Sequence, residues 1–162
     1  MTFQPELWVA RLTGLGGWQR SGLAFVAGVV SALGFAPLDL WPATLMGLAL
    51  LVLLLDGPRT LGGALGLGWC FGLGHFMFGQ RWIAQAFQFQ SNMPPWMGWV
   101  AVFLLSMLMA GYVAVSVGIA WRFQRDRRAR FLAFAGVWML TEWLRGFLLS
   151  GFPWNPLGVT QL

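Results

Sequence analysis

Pro95-Trp96-Met97-Gly98-Trp99-Val100-Ala101-Val102-Phe103-Leu104-Leu105-Ser106-Met107-Leu108-Met109-Ala110-Gly111-Tyr112-Val113-Ala114-Val115-Ser116-Val117-Gly118-Ile119-Ala120-Trp121 carries no charged residue from end to end. It exceeds the roughly 20 apolar residues that a bilayer-spanning helix requires. Immediately after it come Arg122, Arg125, Arg127, Arg128 and Arg130, and then a second apolar run over 130–149. Arginines crowded between two apolar runs are the mark of a cytoplasmic loop between membrane segments.

The rest of the chain repeats the pattern. Of its 162 residues 58% are apolar and 9% charged, too few charges to furnish the shell of a water-soluble domain. Residues 1–17 read as a mixed amphipathic lead containing Arg11. A first apolar segment covers 18–36, with Arg20 near its start. It is laid out like a signal peptide, but the apolar runs that follow favour an uncleaved span. A proline- and aromatic-rich turn leads to a second run over 41–55. Both runs are short for a full crossing, so a pair of spans or a re-entrant hairpin would fit. Either returns the chain to the same side. Asp56-Gly57-Pro58-Arg59 breaks the helix before a glycine-dense third segment, 61–83. There Gly62 and Gly66, and Gly68 and Gly72, are four apart, a spacing that lets membrane helices approach closely. Residues 84–94 read as a loop. The expected fold is therefore an all-α membrane protein: a polytopic helical bundle of about five membrane segments, 18–36, 41–55, 61–83, 95–121 and 130–149.

All ten basic residues are arginine. Arg11, Arg20, Arg59 and the five of the 122–130 loop fall on one side of this arrangement, and only Arg81 and Arg145 on the other. That bias predicts a cytoplasmic N-terminus and a periplasmic C-terminal segment. A nucleic-acid partner is not expected, because the basic residues form a loop and not the face of a folded module.

Candidate chemistry is sparse. Glu142 and Arg145 are three apart, share a helix face and can pair. The pair serves either to anchor a helix end or as a polar patch that meets lipid headgroups or docks an outside domain. Arg81 and Trp82 sit at the outer end of the third segment. Phe152-Pro153-Trp154 and Trp41-Pro42 fall at the level where aromatic belts form. Cys70 and His75 are about 140° apart around a helix and cannot act together. Cys70 reads as a buried small residue and His75 as a hydrogen-bonded packing residue between helices. One histidine and one cysteine make no metal site, and no cofactor motif occurs. On its own residues the chain presents no catalytic set.

Three stretches resemble one family, apolipoprotein N-acyltransferase, in its N-terminal membrane region. They are Gly34-Phe35-Ala36-Pro37 through Trp41-Pro42-Ala43; Gly72-Leu73-Gly74-His75-Phe76 with Gly79, Trp82 and Ile83; and Thr141-Glu142-Trp143-Leu144-Arg145-Gly146 followed by Gly151-Phe152-Pro153-Trp154. The resemblance implies a multi-pass protein of the bacterial inner membrane, engaged in lipoprotein biosynthesis. Its activity would move an acyl chain from a phospholipid donor to the N-terminal amine of a diacylated apolipoprotein. In that family a Glu, Lys and Cys set performs the transfer in a nitrilase-like domain after the membrane helices. That domain is absent from this sequence, and Cys70 does not match its nucleophile. The expectation is an N-terminal fragment, inactive alone, in which Glu142, Arg145 and Trp154 line the membrane side of the active site. Phe152, Pro153, Arg81 and Trp82 would complete that lipid-binding or domain-docking rim. The competing expectation is a non-enzymatic membrane module, such as a transporter component or assembly subunit.

Overall fold

A computed structural model of the chain describes residues 12, 14–89, 93–148, 152 and 154–161. Among them every regular element is helical. The amphipathic lead expected over 1–17, with Arg11, lies almost wholly outside the described residues.

Helix α1, Gly17–Ala32, starts where the Gln19 side chain accepts a hydrogen bond from Gly16 N–H (3.1 Å). It stops four residues before the expected boundary at Ala36. There Thr44 Oγ1 donates to the Ser31 carbonyl (2.8 Å) and pins the chain reversal against the next helix. That helix, α2, covers Trp41–Leu54 and has Pro42 in its first turn, where the missing N–H costs nothing. Helix α3, Leu61–Gly79, is capped by Thr60, whose hydroxyl accepts from Gly63 N–H (3.1 Å).

The third segment was expected to run unbroken to Ile83, but the helix breaks at Gln80–Arg81. A short helix α4, Trp82–Ala86, and a 3-10 turn, Phe87–Phe89, then occupy the start of the expected loop. They are held by packing: a Cβ on Gly98 would stand 2.9 Å from Ala84 Cα, so the two backbones nearly touch.

Helix α5, Trp96–Trp121, has 26 residues and is about 39 Å long at 1.5 Å per residue. Helix α6, Arg127–Arg145, begins three residues before the expected 130. Asp126 sets that start by accepting from Arg128 N–H (2.8 Å) and Ala129 N–H (3.2 Å). It also ends earlier than expected, so Arg145 is its last residue. A final 3-10 turn covers Leu157–Gln161.

Helix α3 lies at the centre, between α1 and α5. Gly68 and Gly72 make this possible: a Cβ there would stand 2.9 Å from Ala114 Cα and 2.8 Å from Ala110 Cα of α5. Among the described residues nothing stands within 4 Å of a Cβ placed on Gly62 or Gly66, so of the two glycine pairs Gly68 and Gly72 is the one packed closely there. Phe71, Phe76, Leu51, Leu54, Met109, Val113 and Val117 fill the interior.

Helix α6 inverts the pattern of a water-soluble surface helix. It buries Arg130, Thr141 and Arg145 with Phe134 and Trp138, and it exposes Leu132 (68%) and Met139 (70%) with Phe131 and Leu140. In water such a face would be a liability, whereas in lipid it is the favoured arrangement. Two stretches, Leu61–Phe89 and Trp96–Trp121, are long and apolar enough to cross a membrane.

The two ends of the bundle differ. At one end Arg130 pairs with Asp56, Trp121 Nε1 donates to the Pro58 carbonyl (3.0 Å), and Arg20 donates to the Leu15 carbonyl (2.7 Å). The Arg122–Arg128 loop lies at this same end, following Trp121. The ends of α3 and α6, with Arg81 and Arg145, lie at the other.

Candidate functional site

The last two turns of α6 place Trp138, Thr141, Glu142 and Arg145 on one face, as spacings of three and four require. Glu142 is the hub. Its Oε1 accepts from Trp138 Nε1 (3.0 Å) and from Leu157 N–H (2.9 Å), and it pairs with Arg145 Nη2 at 3.4 Å. One carboxylate thus ties the helix end to the C-terminal segment. Beside it Ser116 Oγ and Thr141 Oγ1 hydrogen-bond across α5 and α6 (3.3 Å), a polar link inside apolar surroundings.

Arg145 is 3% exposed, and its guanidinium stands over the Phe76 ring, 5.1 Å from the centroid. At this separation a desolvated cation is attracted to the ring face. Phe76 in turn meets the His75 ring edge-on (5.0 Å), and His75 meets Phe35 edge-on (5.4 Å). The three stretches singled out in the sequence therefore converge through the chain Phe35, His75, Phe76 and Arg145. His75 is wholly buried and shares a 2.7 Å hydrogen bond between its Nδ1 and Ser31 Oγ, the helix-packing role expected of it. Cys70 corrects an expectation: it is half-buried, not buried, and lines a shallow pocket with Arg20, Pro58 and Arg59 at the opposite end.

The other candidates are less tightly joined to this hub. Phe152 and Trp154 form an edge-on ring pair (4.7 Å), with Trp154 packed against the core. Pro153 lies outside the described residues. Arg81 folds back on its own helix, donating to the Phe78 carbonyl (3.3 Å) with its guanidinium 4.1 Å from the Phe78 centroid. Trp82 is exposed. Among the described residues no hydrogen bond, ion pair or ring contact joins Arg81 or Trp82 to Glu142 or Arg145.

Two features escaped the sequence reading. One is the pair Gln80 and Asn155. Gln80 is fully buried at the break after α3, and the Asn155 amide lies against Gly79. Asn155 adopts φ 49°, a left-handed conformation that asparagine tolerates better than most residues. A polar residue between a glycine and an arginine in an apolar run was the only signal for Gln80. The other is a groove of about 750 Å³ between α2 and α6. Leu48, Val52, Phe134, Trp138 and Met139 line it, together with Glu142, Leu157 and Gly158. Its wall is apolar apart from that carboxylate.

Comparison with known proteins bears on this arrangement. The family profile described as "Apolipoprotein N-acyltransferase N-terminal domain" matches residues 27–162. The chain is 33% identical over 162 residues to a protein named apolipoprotein N-acyltransferase from Allorhizobium ampelinum, covering 94% of this chain and 31% of that one. It is 35% identical over 147 residues to the protein of that name from Rhodopseudomonas palustris, covering 88% and 27%. Against that from Brucella melitensis biotype 1 the identity is 37% over 167 residues, covering 95% and 31%. The chain spans less than a third of the length of each of these relatives.

Proposed function

The chain belongs to the apolipoprotein N-acyltransferase family, whose N-terminal domain it matches, and we propose that it forms the membrane part of such an enzyme. In this reading the whole enzyme transfers an acyl chain from a phospholipid to the N-terminal diacylglyceryl-cysteine of a bacterial lipoprotein. The chain is multi-pass in the inner membrane, with α1, α2, α3, α5 and α6 as its membrane segments. The arginine-rich end faces the cytoplasm, and the end carrying Glu142 and Arg145 faces the periplasm. Eight arginines against two support that polarity.

The observation that carries the proposal is the convergence of the three family-like stretches on one buried network at the arginine-poor end. Glu142 and Arg145 form its rim, with Phe152, Pro153 and Trp154 following and Arg81 and Trp82 at the end of α3. These residues hold lipid substrate or seat the domain in which acyl transfer takes place, and none of them is assigned the transfer itself. The 162 residues alone are inactive in this account. The rival account, a transporter component or assembly subunit, is not favoured, since the relatives described carry the acyltransferase name.

The test uses the whole enzyme. Glu142→Ala and Trp154→Ala are expected to lower acyl transfer to a diacylated peptide more than they lower the amount of protein in the membrane. Parallel losses of both would reduce these residues to a folding role. Coding sequence after codon 162 that specifies no nitrilase-like domain would remove the main support for the enzyme reading.

A further inference from the structure

Around the end of α3, three side chains from separate segments bring buried polar atoms that have no hydrogen-bond partner among the described residues: Gln80 Nε2 and Oε1, Arg145 Nε and Nη1, and Asn155 Nδ2. Phe76 and Gly79, three apart, share one face at the end of α3, and Gln80 follows at the break. Arg145 stands over the first of them and Asn155 against the second. Orphaned buried polar atoms are costly and uncommon, so a cluster of them points to a missing partner. Its chemistry follows from the inventory. Arginine Nε and Nη1 and both amide nitrogens are donors, facing a single orphan acceptor. Reversing the Gln80 amide leaves that balance unchanged. Only an acceptor-rich group satisfies such a set, and beside a guanidinium the natural one is an oxyanion. Among the described residues Glu142 reaches Arg145 only at Nη2, through the Oε1 that also accepts from Trp138 and Leu157, and leaves Arg145 Nε and Nη1, Gln80 and Asn155 unpartnered.

We propose that Gln80, Arg145 and Asn155 form a binding site for the phosphodiester group of a membrane phospholipid. The 154–158 segment, which supplies Asn155, is tied to α6 by the hydrogen bond from Leu157 N–H to Glu142. With the phosphate there, one acyl chain can lie in the apolar groove between α2 and α6, whose lining includes Glu142, the ion-pair partner of Arg145. The proposal deepens the reading of Glu142 and Arg145 as a lipid-facing rim and rests on it. It adds Gln80 and Asn155 as specificity residues and names the group they recognise.

The test measures binding by the purified 162-residue chain in detergent, without acyl transfer, using native mass spectrometry. The probes are dioleoylphosphatidylglycerol, dioleoylglycerol with the same tails but no phosphate, and inorganic phosphate. The phospholipid is expected to be retained at least tenfold more tightly than either of the others. Gln80→Leu is expected to weaken its retention about fivefold to tenfold, as loss of a neutral hydrogen bond allows, and Arg145→Gln more than tenfold. Gln80→Leu carries the test should Arg145→Gln not fold, because in lipid-free micelles it removes orphaned polar atoms and should melt no lower than the parent. Equal retention of the phospholipid and dioleoylglycerol would overturn the proposal, as would unchanged retention in Gln80→Leu. Inorganic phosphate bound as tightly as the phospholipid would mark a free-phosphate site instead. Any of these results would leave the acyltransferase reading standing, whereas failure of the whole-enzyme test would leave binding by this chain intact.

Discussion

Glu142 makes three connections with one carboxylate, so its removal should be felt well beyond its own position. Glu142→Ala strips the acceptor from Trp138 Nε1 and Leu157 N–H and leaves the 3%-exposed Arg145 without its counter-charge. Breaking a buried ion pair from one side costs about 3–5 kcal/mol. For a chain of this size that corresponds to a fall in melting temperature of about 6–20 °C. Glu142→Gln keeps an oxygen acceptor but turns two charge-assisted hydrogen bonds into neutral ones, at about 1 kcal/mol each. It therefore lowers stability by about 2–3 kcal/mol once the unpaired guanidinium is included. The double variant Glu142→Gln with Arg145→Met removes both charges together. It is expected to recover part of the loss, with a coupling of about 1–3 kcal/mol in the cycle. Thermal unfolding in one detergent, followed by circular dichroism for the parent, both single variants and the double, measures every corner. Additive losses, or a Glu142→Gln variant that melts with the parent, would refute the assignment of Glu142 as the tie between α6 and the C-terminal segment.

The glycines give a contrast within one helix. Gly72→Ala should destabilise by about 1–3 kcal/mol, because its Cβ meets Ala110 Cα at 2.8 Å, while Gly62→Ala, facing open space, should leave the melting temperature unchanged or higher. Asp56→Ala leaves the buried Arg130 unpaired at the opposite end and should cost about 3 kcal/mol or more in the same melts, with Arg130→Met partly restoring the loss. Orientation can be read by labelling in a Cys70→Ala background. Cysteine at Gln124, in the arginine-rich loop, should react with a membrane-impermeant maleimide only after the inner membrane is opened, and cysteine at Met93 should react before. The reverse pattern would invert the proposed topology.

Much of the architecture was legible because it depends on the local count of apolar residues. The Trp96–Trp121 helix and the helical character of the chain follow from composition alone, since a backbone in lipid must satisfy its own hydrogen bonds. The boundaries that were missed depended on side-chain chemistry that a hydropathy pattern does not weigh. Asp126 starts α6 early because a carboxylate can cap two amides. Thr44 pins the end of α1 from a helix that lies later in the chain. Of the site, the Glu142–Arg145 pair was visible from a spacing of three. Its partners Trp138 and Leu157 were not, since one lies a turn earlier and the other comes from a segment whose return to α6 no local pattern encodes.

That division bears on what the polar cluster is for. A pair fixed by helix spacing alone would serve as an anchor in any membrane protein, and Arg145 could then extend toward the headgroup region as arginines near helix ends do. Here the guanidinium is drawn inward over Phe76, and two of its nitrogens have no partner among the described residues. Arg145 is thus less fully paired than Arg130 at the other end of α6, where among the described residues only Nε is buried without a partner. The three stretches linked through Phe35, His75, Phe76 and Arg145 are the same ones that carry the family resemblance: the turn between α1 and α2, the end of α3 and the end of α6. Fold stability would be served as well by an apolar contact between those two helix ends. A polar, acceptor-poor cluster in that position is instead suited to receiving an anionic group from the lipid phase.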